Sequence, residues 1–359
     1  MTSGLRRRRL PLLAIGILGL LLGLAAGLGR LGVALPLPAV LIAAHGPLMV
    51  AGFLGTVIGL ERAVGLGARW SFAVPLAAAA GTVLLVAGVG AVAAPLFAAS
   101  GLGLVAIFAV VLRRQPTLHG AVMGLGAVAL AGGHLLLAAG VAVARLQPLW
   151  AAGLILTIAG ERLELNRLRR PSPLARRLFL AALVPLLVGP LVALHDLDLG
   201  SRLLAGGELA VAIWLGFNDL ARRTVRQPGL PRFVAACLLS GYAWLAVGGL
   251  LGLRFGGVAA GPIYDAILHA RYVGFVLGMI FGHAPIVFPA ILGRPLHFSR
   301  RAYAPLALLG GSLLLRLAGD LGGSFAWRRY GAVGNSLAVL LFLAFTVAGL
   351  VASRPSDAA

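Results

Sequence analysis

Residues 6–30 read RRRRLPLLAIGILGLLLGLAAGLGR, in which residues 10–29 carry no charge and arginine closes both ends. At 1.5 Å per residue such a helix is about 30 Å long, the thickness of a bilayer's hydrocarbon core. Outward from it the same unit recurs. Apolar stretches follow at 39–60, 71–92, 95–112, 118–141, 148–165, 178–195, 201–218, 232–253, 262–292, 303–319 and 331–352. The chain is 60% hydrophobic and 11% charged, with a mean hydropathy of +1.01. No soluble domain has that composition. The expected fold is an all-α membrane protein of twelve transmembrane helices, one membrane domain spanning 1–359.

The arginines check the count independently. One side of the alternation holds Arg6 to Arg9, Arg62, Arg69, Arg113, Arg114, Arg162, Arg167, Arg169, Arg170, Arg176 and Arg177. It also holds Arg222, Arg223, Arg226, Arg232, Arg294, Arg300, Arg301 and Arg354, making 22 of the 30. The other side holds seven: Arg30, Arg145, Arg202, Arg254, Arg316, Arg328 and Arg329. Positive residues favour the cytoplasm, so both termini are expected there, in a bacterial inner membrane. The net charge of +20 then faces an anionic leaflet, worth about 1 kcal/mol per basic residue, and is no sign of nucleic-acid binding. The first segment resembles a signal peptide, but its apolar part has span length, so an uncleaved helix is expected.

Two absences exclude much chemistry. All 30 basic residues are arginine, which removes a Walker A lysine and any pyridoxal or retinal Schiff base. Cys237 is the single cysteine, so intrachain disulfides, iron–sulfur clusters, Cys-ligated zinc and C-x-x-C-H haem attachment are all excluded. A metal or haem must use His, Met or carboxylate, and a haem would be b type.

A repeat is visible. Ala51-Gly52-Phe53-Leu54-Gly55-Thr56 through Glu61-Arg62 matches Ala152-Gly153-Leu154 through Thr157 to Glu161-Arg162 with one gap. Val273-Gly274-Phe275-Val276-Leu277-Gly278 is a fainter echo. Spans 2, 6 and 10 are four helices apart, which suggests four-helix units about a pseudo-threefold axis. The 51 glycines suit close helix approach in lipid.

Charge inside a span is costly, so function is sought there. Converting position to depth puts His45, His134, Glu208, His269 and Arg271 in one layer about 10 Å below the outer face. A bis-histidine haem needs two imidazoles at one depth on different helices, a condition His45 and His269 meet. The alternative for either is a hydrogen-bonded bundle residue. His134 is a further candidate metal ligand. His283 lies ~21 Å deeper than His269 and cannot share its metal. With Pro285 and Pro289 beside it, His283 is a second ligand, a proton-path group or a kink residue. His119, His195 and His297 read as interfacial. Arg271, with Arg316 as a second donor, either clamps haem propionates or pairs internally with Glu208 or Asp265. The pairs Glu61-Arg62 and Glu161-Arg162 are read as pins at helix ends rather than proton carriers.

The segment His45-Gly46-Pro47-Leu48-Met49-Val50-Ala51-Gly52-Phe53-Leu54 resembles an early helix of the NnrS family. His269-Ala270-Arg271 through Val273-Gly274-Phe275 to Gly282-His283 and Gly293-Arg294-Pro295-Leu296 resembles that family's late helix. The resemblance covers about 50 residues. It implies haem, with copper as a further cofactor, and a role in nitric-oxide response. The arrangement is also distantly similar to subunit I of haem–copper oxidases, which implies His45 and His269 as low-spin haem ligands. Span 6 lacks the histidine, and the His-His pair that family needs for copper does not follow it. Oxygen reduction is therefore not expected.

The expected function is a haem-binding membrane protein, NnrS-like, that transfers electrons or binds nitric oxide. Its partners would be the bilayer and a redox protein or quinol. Turnover is left open. The rivals are a secondary transporter and a non-catalytic scaffold subunit. Against the transporter, no pair of broken helices stands at matching places in two inverted halves.

Overall fold

The computed structural model describes residues 9–166, 172–293 and 296–352. Arg6 to Arg8, Arg167, Arg169, Arg170, Arg294 and Arg354, counted above for topology, and Pro295 of the resemblance lie outside them. Among the described residues every regular element is helical, and twelve helices are long and apolar enough to cross a membrane. They are α1 (Leu10–Arg30), α2 (His45–Leu66), α3 (Arg69–Val86), α4 (Gly90–Arg114), α5 (Leu118–Ala138) and α6 (Val143–Asn166). Then follow α7 (Pro173–Val192), α8 (Leu197–Asn218), α9 (Leu230–Phe255), α10 (Gly261–Pro289), α11 (Arg300–Gly322) and α12 (Phe325–Ala352).

Proline moved several boundaries. Pro95 and Pro148 read as helix starts, yet each sits inside its helix, which begins at Gly90 and Val143. A proline in the first turns forfeits one backbone bond there and leaves the rest of the helix intact. Helix α7 begins on Pro173 itself, where Ser172 accepts a bond from Ala175 N at 3.1 Å. The apolar pattern carries the third span to residue 92. It stops at Val86 because the chain turns through Gly88 at φ 81°, a conformation open to glycine at little cost.

Two compact units divide the chain, Met1–Glu161 and Arg162–Ala359. In the first, α1 packs on α2, α2 on α3 and α4, α3 on α4, and α4 on α5. Helices α5 and α6 touch where Gly126 faces Gly153: a Cβ on Gly126 would lie 2.8 Å from the Gly153 carbonyl oxygen. The second unit packs α7 on α8, α8 on α9, α9 on α10, α10 on α11, and α11 on α12. Short connections dictate such neighbour-to-neighbour order. At Gly207 an added Cβ would come within 2.6 Å of Leu186 N; lipid gives helices no hydrophobic reason to associate, so close packing supplies it. Leu174, Val184 and Leu191 on α7 and Leu337 and Val347 on α12 are exposed, as lipid-facing residues are. Exposed Trp327 and Tyr330 stand in the first turns of α12, the amphipathic rings that favour a membrane interface.

Two of the helices are not α-helical throughout. In α2 a short turn, His45–Pro47, leads into a π-helical stretch, Leu48–Leu54, before α-geometry resumes at Gly55. In α10, α-helix Gly261–His269 leads into π-helical Ala270–Leu277 and then α-helix from Gly278. Each widened stretch carries a Gly-Phe pair, Gly52-Phe53 and Gly274-Phe275, and each follows a histidine. Helix α6, which matched α2 better in sequence, is α-helical over Val143–Asn166. The backbone likeness therefore joins α2 with α10.

Candidate functional site

In the first unit His45 turns toward α1. Its Nδ1 lies 2.7 Å from the carbonyl oxygen of Gly23. A carbonyl only accepts, so Nδ1 is the donor in this contact, and in a neutral ring the lone pair is on Nε2. Gly27, one turn beyond Gly23, makes this approach available. A Cβ there would lie 2.9 Å from His45 Cε1 and 3.1 Å from Nδ1. The ring thus lies on a glycine ledge of α1.

His134 on α5 is buried at 4% exposure. It stands between Phe97 of α4, centroids 6.4 Å apart, and Trp150 of α6, at 5.8 Å. Neither of its ring nitrogens has a hydrogen-bond partner among the described residues, and neither does Trp150 Nε1. His134 lines a cavity of about 10 Å³ with Val50, Leu54, Ser100, Leu104 and Leu130, close to the lower limit for one water. The Ser100 hydroxyl is committed to Val74 O at 2.9 Å. Lower on α2 and α6, Arg62 bonds Glu161 and lies 3.3 Å from Glu61. The sequence places the Glu-Arg pairs as pins at helix ends. Helix α2 instead runs on to Leu66 and α6 to Asn166, so Arg62–Glu161 ties two helices together inside their length.

In the second unit, α10 sends two sets of charges in different directions. His269 Nδ1 lies 2.8 Å from Asp265 O and 3.3 Å from Asp265 Oδ1. The Asp265 carboxylate takes a bidentate grip from Arg316 of α11, Nε to Oδ2 at 2.7 Å and Nη2 to Oδ1 at 2.9 Å. Arg328 of α12 stands 3.6 Å from Asp265 Oδ1 and 2.8 Å from Asp320 Oδ1. Two residues past His269, Arg271 runs instead along α9, its Cγ 3.2 Å from where a Cβ of Gly248 would be. It ends on Glu208 of α8, Nε 2.7 and 2.8 Å from the carboxylate oxygens. The expected anion beside Arg271 is therefore Glu208, and that beside Arg316 is Asp265. Of the choices left open by sequence, internal pairing fits both arginines, since each already carries a carboxylate.

His269 and Arg316 are thus brought into one cluster through Asp265, while Arg271 joins a separate pair. His283 is half-buried farther along α10. Among the described residues no three His, Cys, Asp or Glu side chains come together as a metal-binding group. Asp320 and Arg328 were missed as site residues. Asp320 lies one residue beyond the stretch 303–319, so a search for charge inside the apolar stretches passes over it; the helix runs on to Gly322 and buries it at 4% exposure.

The chain belongs to the family described as a domain of unknown function, DUF8744, which matches residues 9–351. No curated protein matches it.

Proposed function

We propose that this chain is a haem-binding, multi-pass protein of the bacterial inner membrane, NnrS-like, with both termini in the cytoplasm. It serves electron transfer or nitric-oxide binding, and His45 and His269 are the residues that would hold b-type haem. One observation carries the reading. Both imidazoles sit at the entrance to a π-helical stretch, and both have Nδ1 fixed on a backbone carbonyl, at 2.7 and 2.8 Å. Haem ligation asks for an imidazole held in orientation by its N–H, and a neutral ring so held would offer the lone pair of its other nitrogen to iron. π-Helical stretches also concentrate at functional sites, because they re-aim side chains at the expense of regular hydrogen bonding. Bound haem would supply a one-electron iron couple. Asp265 and Gly23 would hold the two ligand rings in place, and a redox protein or quinol would exchange the electron.

The test is the optical spectrum of the detergent-purified protein. A Soret band with a sharp reduced α-band is expected. His45→Ala and His269→Ala each convert it to a high-spin or haem-free form, while His283→Ala, ~21 Å further along the helix, leaves it unchanged. Haem-free wild-type protein, or low-spin spectra unchanged in both ligand variants, would overturn the reading and return the chain to a transporter or scaffold subunit. Reporter fusions at the C-terminus test the orientation.

A further inference from the structure

The Nδ1–H of His269 faces two acceptors on Asp265: the main-chain oxygen at 2.8 Å and the carboxylate Oδ1 at 3.3 Å. They differ in kind. The carbonyl is neutral and fixed by the helix, so it sets the ring's orientation. The carboxylate is an anion whose pull on the N–H depends on what else it binds. Here Arg316 engages both of its oxygens, at 2.7 and 2.9 Å. Arg328 approaches from α12 at 3.6 Å and is itself matched by Asp320 at 2.8 Å. The carboxylate is 14% exposed and Arg316 8%, so solvent screens this chain of charges weakly.

We infer that Asp265 and Arg316 form a potential-setting relay behind His269, Asp265 as the positioning residue and Arg316 as the group that holds its charge off the imidazole. The inference rests on the haem reading. A carboxylate on the distal N–H of a ligating imidazole makes that ring a stronger donor, which stabilises the oxidised metal and lowers its potential. A guanidinium drawing the carboxylate away reverses part of that effect. Arg316 acts here through Asp265 and has no need to touch the haem.

Signs follow that a purely structural role does not give. Asp265→Asn keeps the carbonyl bond and removes the anion, so the reduction equilibrium shifts toward the reduced form by about tenfold, about 59 mV for one electron. Arg316→Gln frees the carboxylate, so the potential falls. In the Asp265→Asn background, Arg316→Gln has nothing to act through, and the double variant matches Asp265→Asn. Potentiometric titration of the three holoproteins at one pH, with His269→Ala as control, reads this directly. Shifts of one sign, shifts under about twofold, or simple additivity in the double variant would overturn the relay, provided His269→Ala loses the low-spin haem. If a single variant does not assemble, the double variant alone decides: a raised potential supports the relay and an unchanged one overturns it. A double variant empty of haem overturns it too, because the Asp265 carbonyl would then be insufficient to hold the ring. Haem-free wild type, or low-spin haem kept in His269→Ala, brings down the haem reading and the relay together.

Discussion

Replacing Arg271 with leucine isolates the Glu208 carboxylate in the interior of the second unit. The guanidinium side chain is 3% exposed and the carboxylate 0%, with Nε 2.7 Å from Oε1. At that distance the gross attraction is about 6 kcal/mol for an effective dielectric of about 20. Desolvation of both ions offsets most of it, so the pair as a whole adds little. Removing one member is different: the other stays buried without a counter-charge, at a cost of about 3–5 kcal/mol. Arg271→Leu also empties the volume beside Gly252, whose added Cβ would lie 3.1 Å from Arg271 Nη2, and this adds to the loss. Removing both charges together, Glu208→Leu with Arg271→Leu, should recover most of the stability. The coupling in that cycle is then about 3 kcal/mol or more. Unfolding titrations in mixed detergent micelles, followed by far-ultraviolet circular dichroism, measure all four corners. A single-variant loss below about 1 kcal/mol, or four corners that simply add, would refute the argument. The guanidinium would then reach solvent, and the pair would not hold α10 against α8.

Two other variants address the first unit. His134→Leu removes two ring nitrogens that have no hydrogen-bond partner among the described residues, so stability should be unchanged or rise by about 1–3 kcal/mol. Thermal unfolding in detergent checks this, and a clear loss of stability would show that the imidazole holds a ligand. Gly27→Ala places a Cβ 2.9 Å from the His45 ring, which displaces it from Gly23 O and costs about 1 kcal/mol, the worth of one hydrogen bond. The same substitution should be nearly silent in a His45→Ala background; equal losses in both would mean that the ledge matters for helix packing alone.

The twelve helices were legible because hydrocarbon thickness imposes a length that composition cannot disguise. Arginine at the span ends, as in Arg9 and Arg30 around α1, marks where each crossing stops. Boundaries went astray where a proline lay a turn inside its helix, as at Pro95 and Pro148, since the residue type marks a first turn without saying which position in it. The π-helical stretches had no sequence signal strong enough to call. Pro47 stands before the first, but no proline stands before the second between Gly261-Pro262 and Ala270. His45's partner was also illegible. It is a backbone carbonyl, a group that every residue carries and no side-chain pattern marks.

Depth, the coordinate that sequence yields most easily, grouped His45, His134, Glu208, His269 and Arg271 into one layer. Depth is one coordinate of two. The other is the direction each side chain leaves its helix, and it depends on the local turn. Between His269 and Arg271 lies the change from α- to π-geometry, and their partners separate there. His269 meets Asp265, whose carboxylate Arg316 of α11 and Arg328 of α12 engage, while Arg271 meets Glu208 across α9. Residues two apart on one helix thus serve different clusters, and the widened turn controls the angle between them. A substitution that restores α-geometry in Ala270–Leu277 would rotate Arg271 relative to His269 without changing either residue. The pair with Glu208 and the grip on Asp265 could not then both persist, so the two clusters are coupled through the backbone as well as through charge.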